Sequence, residues 1–227
     1  MCSSDLEYLW STDEKRMKVV LKQWDDKKYS DAILSKVQFE ELEQIIRHGS
    51  PFTTEKRKEL TITVKRSDGS EAWSKVGVPP KYKHGAGGSY GVVVTMHGGP
   101  QQDETSARSI AGQQFGYWRG TAESMGCFTI APAVVGSDWG AEEGNQIWNT
   151  IAELDRMYNV DHDRIMFTGH SWGGILTWTL GPPYANRIAC MAPFVCAVDP
   201  GLDTLRNCRN VPIYSVQIGR ASCRERV

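Results

Sequence analysis

One short stretch of the chain carries a nucleophile with the right neighbours. Gly169-His170-Ser171-Trp172-Gly173 is a G-x-S-x-G placed between an apolar run, Arg164 to Thr168, and a segment of helical character, Trp172 to Leu180. A serine set on a sharp strand-to-helix turn leaves no room for side chains two residues away, so glycine is required on both sides. The turn lifts the hydroxyl above the sheet and sets it at a helix N-terminus, where developing negative charge is stabilised. A second segment complements it about seventy residues earlier: His97-Gly98-Gly99-Pro100, directly after the apolar run Tyr90 to Met96. Acyl transfer needs backbone N–H groups, bare of side chains, to hold an oxyanion. Trp172 N–H is one expected donor and Gly98 or Gly99 N–H the other. His97 precedes the nucleophile in the chain and is expected to be structural.

These segments need a scaffold, and the pattern of apolar residues supplies one. Leu60, Ile62 and Val64 alternate with polar residues, Ser67-Asp68-Gly69 forms a turn, and Ala72 to Val78 returns, which predicts a hairpin. Tyr90 to Met96 reads as a strand buried on both faces. Further expected elements are a helix over 107–125, a strand over 127–135, a helix over 146–158, strands over 164–168, 188–195 and 211–217, and a helix over 172–180. Alternation of this kind implies an α/β fold, a mostly parallel sheet with helices on both faces. Before it, residues 7–59 form a helical segment: Met17, Val20, Leu21 and Trp24, then Phe39, Leu42, Ile45 and Ile46, repeat at helical spacing. The glycine-rich His84 to Ser89 precedes a strand and has the wrong spacing for a phosphate-binding loop.

On these residues the segment from Leu60 to Gln217 resembles the α/β-hydrolase fold. It is most similar to the esterases and predicted peptidases related to polyhydroxybutyrate depolymerases and feruloyl esterases. VGVPPKY, YGVVVTMHGGP, NVDHDRIMFTGHSWGGILTW, ANRIACMAPFV and NVPIYSVQ stand in that group's order. The resemblance implies a serine hydrolase of carboxylic esters with an acyl-enzyme intermediate. HGGP is also similar to the oxyanion segment of prolyl-oligopeptidase-type peptidases, which leaves a peptidase, or a non-catalytic binding module of this fold, as alternatives. It further implies a triad ordered serine, acid, histidine. The five histidines are 48, 84, 97, 162 and 170, and none follows Ser171. The triad acid and base are therefore not present in the expected order, and the 227 residues alone are expected to be inactive. Asp199 and Asp203 are expected to be ordinary loop carboxylates. Trp139 and Trp172 are candidates for an aromatic acyl pocket or for plain packing, and His162 is expected to cap or pack before its strand.

Composition narrows the partners. Lys plus Arg number 26 against 27 Asp plus Glu, so no basic surface argues for nucleic acid. No apolar stretch approaches the roughly 18–20 residues that cross a bilayer. The partner expected is a small-molecule or polymer ester, or a peptide. No cofactor or metal is implied, since Cys190, Cys196 and Cys208 lack C-x-x-C spacing and read as buried thiols. Both ends, residues 1–6 (MCSSDL) and 218–227 (IGRASCRERV), resemble translated short-read sequencing adapter, so the hydrolase domain is expected over 60–217 and truncated.

Overall fold

The computed structural model describes residues 58–83, 90–136, 139–196, 198 and 200–216. The expected helices between residues 7 and 57, the glycine-rich loop and both adapter-like ends lie outside the described residues. The sheet-bearing unit comprises residues 54–154 and 160–227.

The hairpin forms as the alternation predicts. Strands β1 (Glu59–Lys65) and β2 (Glu71–Gly77) pair antiparallel with Leu60 opposite Val76 and Val64 opposite Ala72. Its turn is closed by Gly69 at φ +84° and by Asp68, whose carboxylate accepts the Ser70 N–H at 2.8 Å. The continuous apolar run becomes β3 (Tyr90–Met96), and β4 (Cys127–Pro132) is buried along its whole length. With β5 (Val160–His170) and β6 (Cys190–Phe194) they make one six-stranded sheet in the order β1-β2-β4-β3-β5-β6. The pairs β3–β4, β3–β5 and β5–β6 are parallel, and β2 joins β4 antiparallel.

Helix α1 (Glu104–Ser124) links β3 to β4, α2 (Ala141–Met157) links β4 to β5, and α3 (Trp172–Leu180) links β5 to β6. α1 starts three residues earlier than its apolar pattern predicts, because Asp103 and Ser106 form a capping box, with the Asp103 carboxylate accepting Ser106 N–H at 2.8 Å. It covers the sheet face carrying Val93 and Met166, against which Trp118 and Ala122 pack. The opposite face carries Phe167, met by Trp148 of α2 with ring centroids 5.9 Å apart. Helices thus lie on both faces, as a mostly parallel sheet requires.

Two expectations are corrected. The segment 211–217 is not a regular strand: it follows β6 through isolated bridges, Met191 to Ile213 and Phe194 to Val216. Pro193 and Pro212 each lack the N–H that a continuous ladder would use. Helix α4 (Gly201–Asn207) was not expected, because Leu202 and Leu205 are exposed and leave no buried stripe to read.

Helix α1 contains Gly112, Gly116 and Gly120 in its interior, and a Cβ added at any of them meets no atom within 4 Å. Glycine in a helix costs about 0.8–1 kcal/mol relative to alanine. Gly116→Ala and Gly120→Ala are each expected to stabilise the chain by about 1 kcal/mol, seen as a higher urea midpoint at unchanged m-value. Destabilisation by either would mean that this face of α1 is covered by something other than water.

Candidate active site

The sheet's connections reverse direction at its centre. From β3 the chain moves to β4 on one side, and from β5 it moves to β6 on the other, so a crevice opens beyond the carboxyl ends of β3 and β5. Ser171 follows β5 directly and Gly98 lies two residues beyond β3, so both sit on that crevice.

Ser171 has φ 58° and ψ −117°, outside the conformations an L-residue prefers. Its N–H donates to the Phe194 carbonyl at 2.9 Å, which ties the turn to β6. The flanking glycines are required sterically. A Cβ on Gly169 would lie 2.3 Å from the Gly173 carbonyl oxygen, and one on Gly173 would lie 2.0 Å from the Met96 carbonyl oxygen. Gly174 belongs to the same set, since its Cβ would fall 2.5 Å from the Phe194 carbonyl oxygen. That position was missed from sequence, although the doubled glycine after Trp172 was there to be read. Trp172 opens α3, so its N–H is among the helix amides with no intrahelical acceptor.

The His97–Pro100 segment packs against this elbow. A Cβ on Gly98 would be 3.1 Å from the His170 carbonyl oxygen and 3.6 Å from the Ser171 Cβ, so the loop approaches as closely as bare backbone allows. Gly99 has φ +68°. Gln101, not anticipated, donates its side-chain amide to the Gly99 carbonyl at 3.1 Å and fixes the loop's outgoing peptide. The Gly98 carbonyl lies toward His97 Nδ1 at 3.4 Å. In a trans peptide the Gly99 N–H therefore points the opposite way from that carbonyl.

His97 is a brace. It is fully buried, its Nε2 accepts the Val134 N–H at 3.3 Å, and its ring meets the edge of Trp139 at 5.1 Å. Burial pushes its pKa below the ordinary histidine value, more than its hydrogen bonds to backbone raise it. A neutral ring that must charge in acid stabilises the fold fully above about pH 6.5, and that stability drops away as pH falls through the depressed folded value. Unfolding free energy measured from pH 7.5 down to 5 is expected to decline, and His97→Gln to flatten the decline. An unchanged slope in the variant would assign the acid sensitivity to another group.

A cavity of about 760 Å³ opens beside the elbow, lined among others by Gly98, Gly99, Ser171, Phe194 and Val195. Its far wall is one stripe of α1: Ile110, Gln114, Tyr117, Trp118 and Thr121. The aromatic wall is thus Tyr117, Trp118 and Phe194, with Trp118 and Phe194 in edge contact at 5.3 Å. Trp139 and Trp172, the sequence candidates, do not line it; Trp139 is committed to His97. Sequence proximity to the nucleophile does not tell which way an indole turns, whereas the α1 stripe converges from more than fifty residues away.

The remaining candidates sit elsewhere. His170 lines the cavity. His162 is exposed within β5, which begins at Val160, and does not precede it. Asp203 is exposed on α4 and pairs with Arg206 at 3.0 Å, as an ordinary carboxylate would. Asp199, His48 and His84 lie outside the described residues. Among the described residues, no histidine or carboxylate hydrogen-bonds the Ser171 hydroxyl. Cys127, Cys190, Cys196 and Cys208 are free thiols. Burial raises the pKa of Cys127, Cys190 and Cys208, which keeps them protonated. No cluster of metal-ligating side chains occurs among the described residues.

No protein-family model matches the chain. Among curated proteins, a bifunctional acetylxylan esterase/xylanase of Neocallimastix patriciarum is 29% identical over 105 residues, which is 44% of this chain and 15% of that protein. A solved thermostable esterase superposes with a TM-score of 0.54 at 22% identity, covering 70% of this chain and 45% of that one. A ferulic acid esterase superposes with a TM-score of 0.51 at 13% identity, covering 71% and 90% respectively. The chain spans less than half the length of the first two of these relatives. With a sheet ordered β1-β2-β4-β3-β5-β6, a serine turn after β5 and these likenesses, the chain has the α/β-hydrolase fold.

Proposed function

We propose that the whole protein is a serine hydrolase of carboxylic esters, with its hydrolase domain over about residues 60–217 and a helical segment over 7–59. The observation that carries this reading is the strained Ser171 packed against the side-chain-free Gly98, both on the wall of one cavity. The esterase relatives support it by their names. Ser171 Oγ attacks the ester carbonyl, and the tetrahedral oxyanion is held by Trp172 N–H together with Gly98 or Gly99 N–H. Collapse expels the alcohol and leaves an acyl-Ser171, which water hydrolyses. A serine hydroxyl is a poor nucleophile without a base, and no described histidine reaches it. The 227 residues alone are therefore proposed to be inactive, with the acid and base supplied by the whole protein.

Initial rates on short-chain aryl esters test both parts. The whole protein is expected to turn over and the 227-residue chain is not. Turnover by the chain, lost on Ser171→Ala, would contradict its proposed inactivity. Cleavage of peptide substrates without ester hydrolysis would replace the ester reading with a peptidase.

A further inference from the structure

A peptide between two glycines can present either of its faces. The flip that exchanges them turns φ of the second residue from positive to negative, and glycine takes both signs at no steric cost. An oxyanion hole needs the N–H face, because a carbonyl oxygen turned into it would repel the charge that the donor should hold. The bare Gly98–Gly99 backbone therefore admits a substrate without choosing the face it shows. Side chains on its carbonyl side make that choice. Half-buried Gln101 folds back so that its Nε2 donates to the Gly99 carbonyl at 3.1 Å and lies 3.5 Å from the Gly98 carbonyl. His97 Nδ1 lies 3.4 Å from the same Gly98 oxygen. Gln101 is anchored in turn, since its own carbonyl accepts the Gly136 N–H at 2.7 Å in a bridge to the segment after β4. Both glycines line the cavity beside Ser171. Among the described residues, neither the Gly98 nor the Gly99 N–H donates to a protein acceptor, whereas both carbonyls are engaged.

We infer that Gln101 is a positioning residue of the oxyanion hole: by holding the Gly98 and Gly99 carbonyls back, it keeps the Gly98–Gly99 peptide turned so that the Gly99 N–H is left for the oxyanion. This rests on the serine-nucleophile part of the proposed function and not on an ester being the bond cleaved. It also assigns the second donor to Gly99, because the Gly99 N–H belongs to the peptide whose carbonyl is held. A glutamine amide suits the task, since it carries two N–H groups on one nitrogen and can face two carbonyl oxygens at once. A glutamate of the same length would face them with acceptors only.

Rates of Ser171 phosphonylation by a fluorophosphonate, measured on the whole protein, test this whatever bond the enzyme cleaves. Gln101→Met removes the donor at similar volume and is expected to slow labelling roughly fivefold, the population shift that one net hydrogen bond sustains. Gln101→Glu sets a carboxylate against two carbonyl oxygens and is expected to slow it roughly 10²-fold at pH 8, approaching the loss of an oxyanion donor. The carbonyls favour the protonated, donating form of that glutamate, so the ratio of parent to Gln101→Glu rates is expected to narrow as pH falls to 5. His97, Asp103 and His170 are the titratable side chains of the same loop and cavity, and parent and variant share them, so they cancel in the ratio. A purely structural glutamine would not give a deficit that acid reverses. Labelling of both variants within about twofold of the parent overturns the inference, and so does a Gln101→Glu deficit that stays constant from pH 8 to 5. Gln101→Met decides where Gln101→Glu does not fold. Slowed labelling of the variants with no ester hydrolysis by the parent would sustain this inference and remove the ester reading, and ester hydrolysis with variants labelled at the parental rate would do the reverse.

Discussion

Ser171→Ala in the whole protein is expected to lower kcat/KM for ester hydrolysis by roughly 10⁴- to 10⁶-fold, the range over which loss of a serine nucleophile acts. On the proposed mechanism no acyl-enzyme forms without Oγ, and what remains is whatever the oxyanion amides do for direct attack by water. The same position yields a stability prediction that a purely structural serine would not. With φ 58° and ψ −117°, Ser171 stores strain of about 1–3 kcal/mol. Ser171→Gly relieves it and loses part of the gain to the greater freedom of glycine in the unfolded chain. The variant is expected to be inactive yet about 1 kcal/mol more stable, a rise in melting temperature of roughly 2–4 °C. An inactive variant that melts lower would place the serine in a hydrogen-bond network that supports the fold.

Gly173→Ala is expected to have the largest effect on stability. The added Cβ would sit 2.0 Å from the Met96 carbonyl oxygen, 2.7 Å from its carbon and 3.0 Å from the His97 carbonyl oxygen. All three are backbone atoms at the end of β3, so no rotamer change relieves the clash. β3 pairs with β5 up to Met96 opposite Gly169, so moving either strand breaks the ladder at the site itself. Overpacking of ordinary side chains costs about 1–3 kcal/mol and occasionally more. Against backbone the cost is expected to be about 3 kcal/mol or above, out of a total near 5–15 kcal/mol. Equilibrium urea unfolding should show a midpoint far below the parent or no cooperative transition. A variant within about 1 kcal/mol of the parent would mean that α3 can slide away from β3 and that the elbow is not rigid.

The site's backbone was legible in the sequence because steric necessity writes it there. Gly169, Gly173 and Gly98 meet backbone where a side chain would stand, and Ser171 and Gly99 take positive φ, all short-range requirements of two turns. β3 and the hairpin were legible for the same reason, one as an unbroken apolar run and the other as alternation around Asp68-Gly69. The cavity was not. Ile110, Gln114, Tyr117, Trp118 and Thr121 recur at helical spacing, and that periodicity reads the same whether a stripe faces core or cavity. His97 acts through a partner distant in sequence, Val134, and Gln101 folds back onto Gly99 two residues away, and no local pattern names either bond. The segment after α4 shows the converse limit: VPIYSVQ has strand composition, yet Pro193 and Pro212 remove the donors that regular pairing with β6 would use.

Ser171 Oγ is the atom proposed to become acylated. The most direct measurement is to treat the whole protein with a fluorophosphonate reagent and locate the adduct by tryptic mass spectrometry. One modified serine is expected in the peptide Ile165–Arg187, with ester turnover lost in step with labelling and no adduct in Ser171→Ala. An adduct on another residue, or ester turnover that continues with Ser171 unlabelled or replaced, would contradict it.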